Sequence, residues 1–231
     1  MLISHRYRFI YTKTAKTAGT SIESFFERFC MPEGEWAQSH LRDEYESPDG
    51  VIGYRGGNPP ATTQWKNHMS AAAIKERIGA DIWSSYFKFC AIRDPFDKCI
   101  SAFSHFGRDW RTDDAASLAA SATPPMTAEQ YRFFDYIGKR PPVDRDKYVI
   151  DGEFCLDDTI RYERLEADLE RICARIGVPF GRDYLPTFKK GVRGRGATIE
   201  SLYTEQARRL VEETFALELS LFGYRFPEAG T

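Results

Sequence analysis

The sequence lacks several features that would assign it to common protein classes. Basic residues are not in excess, because 32 Lys and Arg stand against 34 Asp and Glu, which gives a formal net charge of −2. The five cysteines form no CxxC pair, and no apolar run is long enough to cross a membrane. These absences argue against a nucleic-acid-binding protein, a CxxC-type zinc or redox site, and a transmembrane helix.

The sequence also lacks an apolar signal region near its start, and several cysteines lie at apolar positions of predicted helices or strands. We therefore expect buried, reduced thiols and a soluble cytosolic protein. The composition is that of a folded protein, with 42% hydrophobic and 29% charged residues. Its length of 231 residues suits a single domain over residues 1–231, without repeats or linkers.

The first motif is a strand, a short loop and a helix. Residues 8–12 (RFIYT) predict a buried strand, and KTAKTAGTS at 13–21 predicts a tight loop. Loop backbone at a helix N-terminus is well suited to an anion, with Gly19 allowing close approach and Lys16 adding a charge. An ordinary N-capped helix start remains the alternative. The helix that follows has an apolar face formed by Ile22, Phe25, Phe26 and Phe29.

This loop is not a Walker A motif. That motif requires GxxxxGK[ST], with its lysine after the second glycine. Here Lys16 precedes Gly19. The sequence therefore disfavours an ATP- or GTP-binding loop.

The second motif follows an apolar run at residues 86–92 (YFKFCAI), which predicts another strand. Arg93 comes directly after it, and Pro95 suits the first turn of a helix whose polar side carries Ser101. An arginine fork with a serine hydroxyl can hold a phosphate at this edge of a sheet. The alternative is that Arg93 pairs with a nearby aspartate, Asp94 or Asp97.

The rest of the chain predicts a third strand at residues 159–162 and helices at 165–176 and 204–219. The alternation of strands and helices predicts an α/β fold with a central, largely parallel sheet flanked by helices. Residues 31–64 are expected to form a long irregular surface loop, and residues 109–125 a mobile segment.

The segments KTAKTAGTSIESFF and FKFCAIRDPFDKCISAF resemble the two nucleotide-binding motifs of sulfotransferases that use 3′-phosphoadenosine 5′-phosphosulfate (PAPS). The likeness is greatest to the carbohydrate (family 2) group, which has short bacterial members. The segment IRYERLEADLERICARIG and the ending FGYRF are also similar to that family. The resemblance implies a P-loop-NTPase-like sulfotransferase fold as a single domain. It also implies sulfuryl transfer from PAPS to an acceptor hydroxyl, with PAP as product and no metal.

The resemblance also implies binding roles for individual residues. The 5′-phosphosulfate would be held by the loop residues Lys16, Thr17, Ala18, Gly19, Thr20 and Ser21. Arg93 and Ser101 would hold the 3′-phosphate. Lys13 stands where the 2-O-sulfotransferases carry an arginine, and Arg193, in the loop KKGVRGRGA, could close over the nucleotide. The sequence departs from the family pattern at three positions: Ala15 stands for proline, Lys98 for arginine and Phe103 for tyrosine.

Two residues are predicted to be catalytic. Lys16 would stabilise the departing phosphate oxygen, since charge develops there during transfer. His68, in an HxS segment similar to that of the 2-O-sulfotransferases, would be the general base. His105 is the second candidate base, and the carboxylates of the irregular segment remain open: Glu35, Asp43, Glu44 and Glu46.

The expected partner is a hydroxyl-bearing acceptor, a saccharide by resemblance, with residues 31–64 and 105–145 as acceptor-side insertions. The sequence sets no oligomeric state. Two other functions stay open at this point. One is a nucleotide kinase or NTPase on a related fold, and the other is a non-catalytic module that binds PAP.

Overall fold

A computed structural model describes residues 1–107, 109–110, 112–186 and 197–227 of the chain. Its strands are β1 (Leu2–Ser4), β2 (Phe9–Thr12), β3 (Tyr45–Ser47), β4 (Gly50–Ile52), β5 (Phe87–Ile92), β6 (Val149–Ile150), β7 (Glu153–Phe154) and β8 (Asp158–Arg161). Its α-helices are α1 (Gly19–Phe26), α2 (Ala71–Ile78), α3 (Ala80–Ser85), α4 (Pro95–Phe106), α5 (Ala115–Ser121), α6 (Ala128–Lys139), α7 (Leu165–Ile176), α8 (Ile199–Leu202), α9 (Glu205–Thr214) and α10 (Ala216–Phe222).

The chain divides into two compact units. The first consists of Met1–Ile92 and Asp144–Phe188, and it contains strands β1 to β8 with α1, α2, α3 and α7. The second consists of Arg93–Val143 and Lys189–Thr231, and it contains α4, α5, α6, α8, α9 and α10.

The first unit is built on a six-stranded sheet with the order β3-β4-β1-β2-β5-β8. Strands β2, β5 and β8 run parallel, with Phe9 opposite Phe87 and Phe89 opposite Asp158. The other neighbours, β3, β4, β1 and β2, pair antiparallel. The predicted α/β fold class is confirmed, and the three strands predicted from the sequence are the parallel ones.

Three strands of the six-stranded sheet lie where the sequence analysis expected none. Strand β1 precedes the first predicted strand, and β3 with β4 forms a hairpin inside residues 31–64, so the prediction of a wholly irregular segment there was wrong. Each of these strands has only three residues, too few for an alternating pattern to be read. Gly50 permits the pairing of β4 with β1, because any larger residue would clash: a Cβ at this position would lie only 2.3 Å from Ile3 O.

Aromatic packing fixes α1 on the sheet. The rings of Phe9 and Phe89 lie 5.6 and 5.2 Å from that of Phe26, centroid to centroid. The predicted apolar face of α1 is confirmed, since Ile22, Phe25 and Phe26 are fully buried. The N-terminus of α1 also lies close to the end of β2, because only residues 13–18 separate the two elements.

The second unit is a group of helices around its own core. Phe103 of α4 packs on Phe133 of α6, with ring centroids 5.5 Å apart. The hydroxyl of Tyr203 donates to Phe96 O at 2.9 Å and so ties α4 to the residue after α8. The predicted apolar face of α4 is confirmed, since its four members are buried: Phe96, Cys99, Ile100 and Phe103.

Two expectations for this unit need correction. Residues 109–125 include helix α5, which packs on α6, because a run rich in alanine has high helix propensity. The long helix predicted at 204–219 is broken into α9 and α10 at Phe215. That residue has φ −108° and ψ 22°, and its side chain is buried in the core of the unit.

The five cysteines are free thiols, and Cys155 is the one that is not fully buried. Among the helices of the described residues, none has the length and apolar character needed to span a bilayer. The same residues contain no cluster of three or more His, Cys, Asp or Glu side chains with metal-binding geometry.

Candidate functional site

The loop between β2 and α1 has an unusual backbone. Lys16 and Ala18 both adopt left-handed conformations, with φ of 62° and 61°. A left-handed residue at alternate positions turns successive N–H groups towards one side, which forms an anion-binding concavity. Ala18 is the N-cap of α1 and makes no side-chain cap bond. The ordinary alternative, a helix start capped by its own side chain, is therefore not what the structure contains.

Two threonines hold this loop from inside the protein. Thr14 Oγ1 donates to Ala91 O on β5 at 2.5 Å and lies 2.8 Å from Thr17 Oγ1. Since the single hydroxyl proton of Thr14 is already used, Thr17 is the donor in the second bond. Thr17 is fully buried. Its side chain thus fixes the loop, and any contact it makes with a bound anion would come from its backbone.

Gly19 is required for close packing and not for its dihedral angles. Its φ is not in the positive range, which Lys16 and Ala18 occupy instead. A Cβ at position 19 would lie 3.1 Å from Lys13 Cγ and Cε and 3.2 Å from Thr14 O. Of the other loop residues predicted to bind, Ser21 is buried, and the partly exposed ones are Lys16, Ala18 and Thr20.

The side chain of Lys13 points away from solvent. Its Nζ lies 2.5 Å from Glu23 Oε2, and the residue is only 3% exposed. Burial lowers the pKa of the Lys13 ammonium, although the Glu23 carboxylate opposes this effect. The sequence analysis predicted that Lys13 binds the cofactor, but the structure places its ammonium on Glu23.

Glu23 is the centre of a buried ionic network that the sequence analysis missed. Its carboxylate contacts Lys13, Arg55 Nη1 at 3.1 Å and the amino group of Met1 at 2.5 Å. Arg55 also pairs with Glu27. Burial alone would raise the pKa of Glu23, but these cations lower it to about 2. One feature of the sequence could have indicated this network: Glu23 and Glu27 are four residues apart, beside the apolar face of α1.

His68 lies in the same unit as the loop. Its Nδ1 is 3.0 Å from the backbone oxygen of Lys13. A carbonyl oxygen only accepts, so Nδ1 carries the proton in this bond and Nε2 of the neutral ring is an acceptor. Desolvation, then the charges of Lys13 and the Met1 amino group, lower the pKa of His68 to about 4. The residue as a whole is exposed, and the lowered pKa of its ring favours the neutral imidazole at pH 7.

A carboxylate from a distant part of the sequence also reaches the loop. Asp144 Oδ2 accepts from Ala15 N at 2.8 Å, and Asp144 is 7% exposed. No pattern in the sequence joins these residues, which are 129 positions apart.

The predicted 3′-phosphate residues belong to the second unit. Arg93 Nε and Nη2 lie 2.6 and 2.5 Å from Asp97 Oδ2, so the pairing considered from the sequence is present. Ser101 is partly exposed on α4. His105, the second candidate base, lies near the end of the same helix with its ring against Phe106.

The basic loop KKGVRGRGA was also predicted to contact the nucleotide. Arg193 and the other basic residues of this loop lie outside the described residues. The prediction for Arg193 therefore stays a prediction.

Two of the alternative bases are already occupied within the first unit. Glu44 Oε2 accepts from the backbone N–H groups of Gln64 and Trp65 at 2.8 and 2.7 Å. Glu46 Oε2 accepts from Trp65 Nε1 at 2.7 Å. Both carboxylates therefore have structural partners that a catalytic base would have to share.

Comparison with known proteins identifies the family. The model of a family described as "Sulfotransferase family" matches residues 1–225. No curated protein and no solved structure matches the chain. The resemblance noted in the two nucleotide-binding motifs is confirmed by the family match, which covers nearly all of the sequence. The chain therefore belongs to the sulfotransferase family.

Proposed function

We propose that this sulfotransferase uses PAPS as its donor, transfers the sulfuryl group to an acceptor hydroxyl and releases PAP. The loop between β2 and α1 supports an anionic donor. Its left-handed residues Lys16 and Ala18 lie at a helix N-terminus, where the helix dipole and free N–H groups favour phosphate and sulfate groups. Lys16 adds a cation that is partly exposed.

Each predicted residue has a role in this proposal. The loop residues 16–21 bind the 5′-phosphosulfate, through backbone N–H groups where the side chain is buried. Arg93 and Ser101 bind the 3′-phosphate, with Arg93 exchanging or sharing its carboxylate contact, and Arg193 is an additional candidate for the nucleotide. Lys13 keeps a supporting role, since its ammonium is paired with Glu23.

The proposed reaction is an in-line displacement at sulfur. The bond from the acceptor oxygen to sulfur forms while the bond from sulfur to the 5′-phosphate oxygen breaks. Lys16 stabilises the charge that develops on the departing oxygen, and the acceptor proton passes to Nε2 of His68. The protein's contribution is positioning and electrostatic stabilisation.

The orientation of His68 is the observation that carries the catalytic part of the proposal. Its Nδ1–H is bound by Lys13 O at 3.0 Å, next to the loop that would hold the donor. This bond selects the tautomer in which Nε2 can accept a proton. A non-catalytic PAP-binding protein has no need of such an oriented, neutral imidazole.

The proposed acceptor class rests on the resemblance of the sequence motifs to one group of sulfotransferases. The two nucleotide motifs are most similar to those of the carbohydrate group, and a saccharide hydroxyl is the acceptor that this similarity supports. Free, mostly buried thiols support a cytosolic location.

Ligand-dependent thermal unfolding tests the donor. The protein is heated with PAP, PAPS, ATP or GTP, each with and without Mg²⁺. A ligand present at roughly 100 times its Kd stabilises the protein by about 2.7 kcal/mol. We expect PAP and PAPS to stabilise without Mg²⁺. Stabilisation by ATP with Mg²⁺ but not by PAP would favour the nucleotide kinase alternative and overturn the proposal.

Turnover tests the catalytic part. The protein is incubated with PAPS and a panel of saccharides, and both PAP and the sulfated product are measured by mass spectrometry. We expect PAP to accumulate in step with the sulfated product. Tight PAP binding without transfer to any hydroxyl acceptor would favour the non-catalytic module.

A further inference from the structure

The N–H group of Ala15 is occupied by a carboxylate of the protein itself. Asp144 Oδ2 accepts from Ala15 N at 2.8 Å, and the aspartate is nearly fully buried. The first of the two compact units is made of two stretches of chain, and Asp144 is the first residue of the later stretch. It lies just before the short turn Arg145–Lys147. The contact therefore fastens a remote segment of chain to the start of the anion-binding loop.

This contact lies directly before the most constrained part of the loop. Lys16 has φ 62°, a conformation that costs an L-residue about 1–2 kcal/mol and persists only when its surroundings fix it. The preceding residues are fixed from two sides. Thr14 Oγ1 donates to Ala91 O on β5, and Ala15 N donates to Asp144. Both bonds join groups of the protein itself.

The contact also removes one backbone N–H group, that of Ala15, from those that could bind an anion. A carboxylate oxygen is the same kind of acceptor as a phosphate or sulfate oxygen, and its bond to a backbone N–H is charge-assisted. While Asp144 holds the Ala15 N–H, that donor is not offered to an anion. An anion at this loop is then bound by groups other than the N–H of Ala15.

Resting on the proposed function, we propose that Asp144 is a positioning residue for donor binding: by holding the Ala15 N–H, its carboxylate keeps the loop 16–21 in its anion-binding conformation. Asp144 contacts the loop and not the reacting atoms. Its removal should therefore weaken binding of the nucleotide while leaving the chemical groups in place.

A double-mutant cycle tests this contact. The unaltered protein, Asp144→Ala, Ala15→Pro and the double variant are titrated with PAP by calorimetry. Proline has no N–H, so Ala15→Pro removes the donor atom. We expect Asp144→Ala to weaken PAP binding about tenfold in the unaltered protein and to change it little when Ala15→Pro is already present, a coupling of about 1.4 kcal/mol. The KM for PAPS should rise by the same factor.

Asp146→Ala is the matched control. Asp146 lies in the same short turn, but its side chain is exposed and pairs with Lys147. This variant should bind PAP as the unaltered protein does. If Asp144→Ala does not fold, Asp144→Leu replaces it in the same cycle, because leucine fills the space and has no acceptor for the Ala15 N–H.

The outcomes separate this inference from the proposed function. If the unaltered protein does not bind PAP at all, the proposed function fails. If it binds PAP but Asp144→Ala binds equally well or better, or loses the same affinity with and without Ala15→Pro, the positioning role of Asp144 is overturned. Normal PAP binding with lost turnover in Asp144→Ala would also overturn it.

Discussion

The imidazole of His68 is held by the backbone oxygen of Lys13, 55 residues earlier in the sequence, at a distance of 3.0 Å. The same lysine packs its stem against Gly19 of the loop and places its ammonium on Glu23. One residue thus links the candidate base, the loop between β2 and α1 and the buried ionic network. A substitution at any of these positions should therefore alter the structure at the others. Each position can be tested by its own variant.

Replacing His68 by alanine should remove turnover and leave PAP binding intact. The imidazole supplies proton transfer, which contributes roughly 10²–10⁴-fold to a rate, and it is not a ligand of the nucleotide in our proposal. The measurements are kcat with a saccharide acceptor and the Kd for PAP. His5→Ala is the control, because the Nδ1 of His5 contacts Tyr86 OH away from the loop. Normal turnover in His68→Ala would place the base elsewhere.

The acid side of the pH profile should lie below pH 6.5. A general base must be neutral, so kcat/KM falls as the pH drops through its pKa. The environment lowers the pKa of His68 from its usual value of 6.5 through desolvation, Lys13 and the Met1 amino group, with Glu23 acting in the opposite direction. Activity should therefore persist at pH values where a histidine with the usual pKa of 6.5 is already protonated.

Lys13→Met tests whether the charge of Lys13 lowers the pKa of His68. It removes a positive charge that lowers the pKa of His68, while the backbone bond from His68 to the oxygen of residue 13 can remain. The acid limb of kcat/KM should then move to higher pH. An acid limb that lies at or above pH 6.5 in the unaltered protein would contradict the assignment of His68.

Replacing Gly19 by alanine should weaken PAP binding about tenfold. The added Cβ would meet the stem of Lys13 at 3.1 Å and Thr14 O at 3.2 Å, which is tighter than normal packing. Overpacking of this kind costs about 1–3 kcal/mol and would displace the start of α1. Gly57→Ala is the control, since a Cβ there meets nothing within 4 Å. Unchanged PAP affinity in Gly19→Ala would mean that the loop tolerates the shift.

Replacing Arg93 by alanine should weaken PAP binding by at least about tenfold and leave AMP binding unchanged. AMP lacks the 3′-phosphate, so the comparison isolates the contact assigned to the guanidinium, and a charge-assisted hydrogen bond is worth about 1.5–3 kcal/mol. Calorimetry with both nucleotides measures the effect. Arg209→Ala is the control, because Arg209 is an exposed partner of Glu205 on α9. An equal loss for PAP and AMP would assign Arg93 a structural role through Asp97.

The sequence by itself determined the local units. The apolar spacing of Ile22, Phe25 and Phe26 predicted α1, and that of Phe96 and Phe103 predicted α4. Short buried or apolar segments predicted the parallel strands β2 and β5, and residues 159–162 were the candidate for the third parallel strand, β8. These signals are readable because helix and strand periodicity are set by residues a few positions apart. The two motifs also identified the family, since loop chemistry and spacing are local properties of the chain.

Only the tertiary structure decided which distant side chains contact the loop between β2 and α1 and the helix that follows it. Asp144 and Ala15 are 129 positions apart, and Arg55 reaches Glu23 from a segment that the sequence predicts to be irregular. The tertiary structure also decided that the ammonium of Lys13 is buried against Glu23. Such contacts depend on how the sheet and helices bring distant segments together, and packing between remote residues leaves no periodic signal in the sequence.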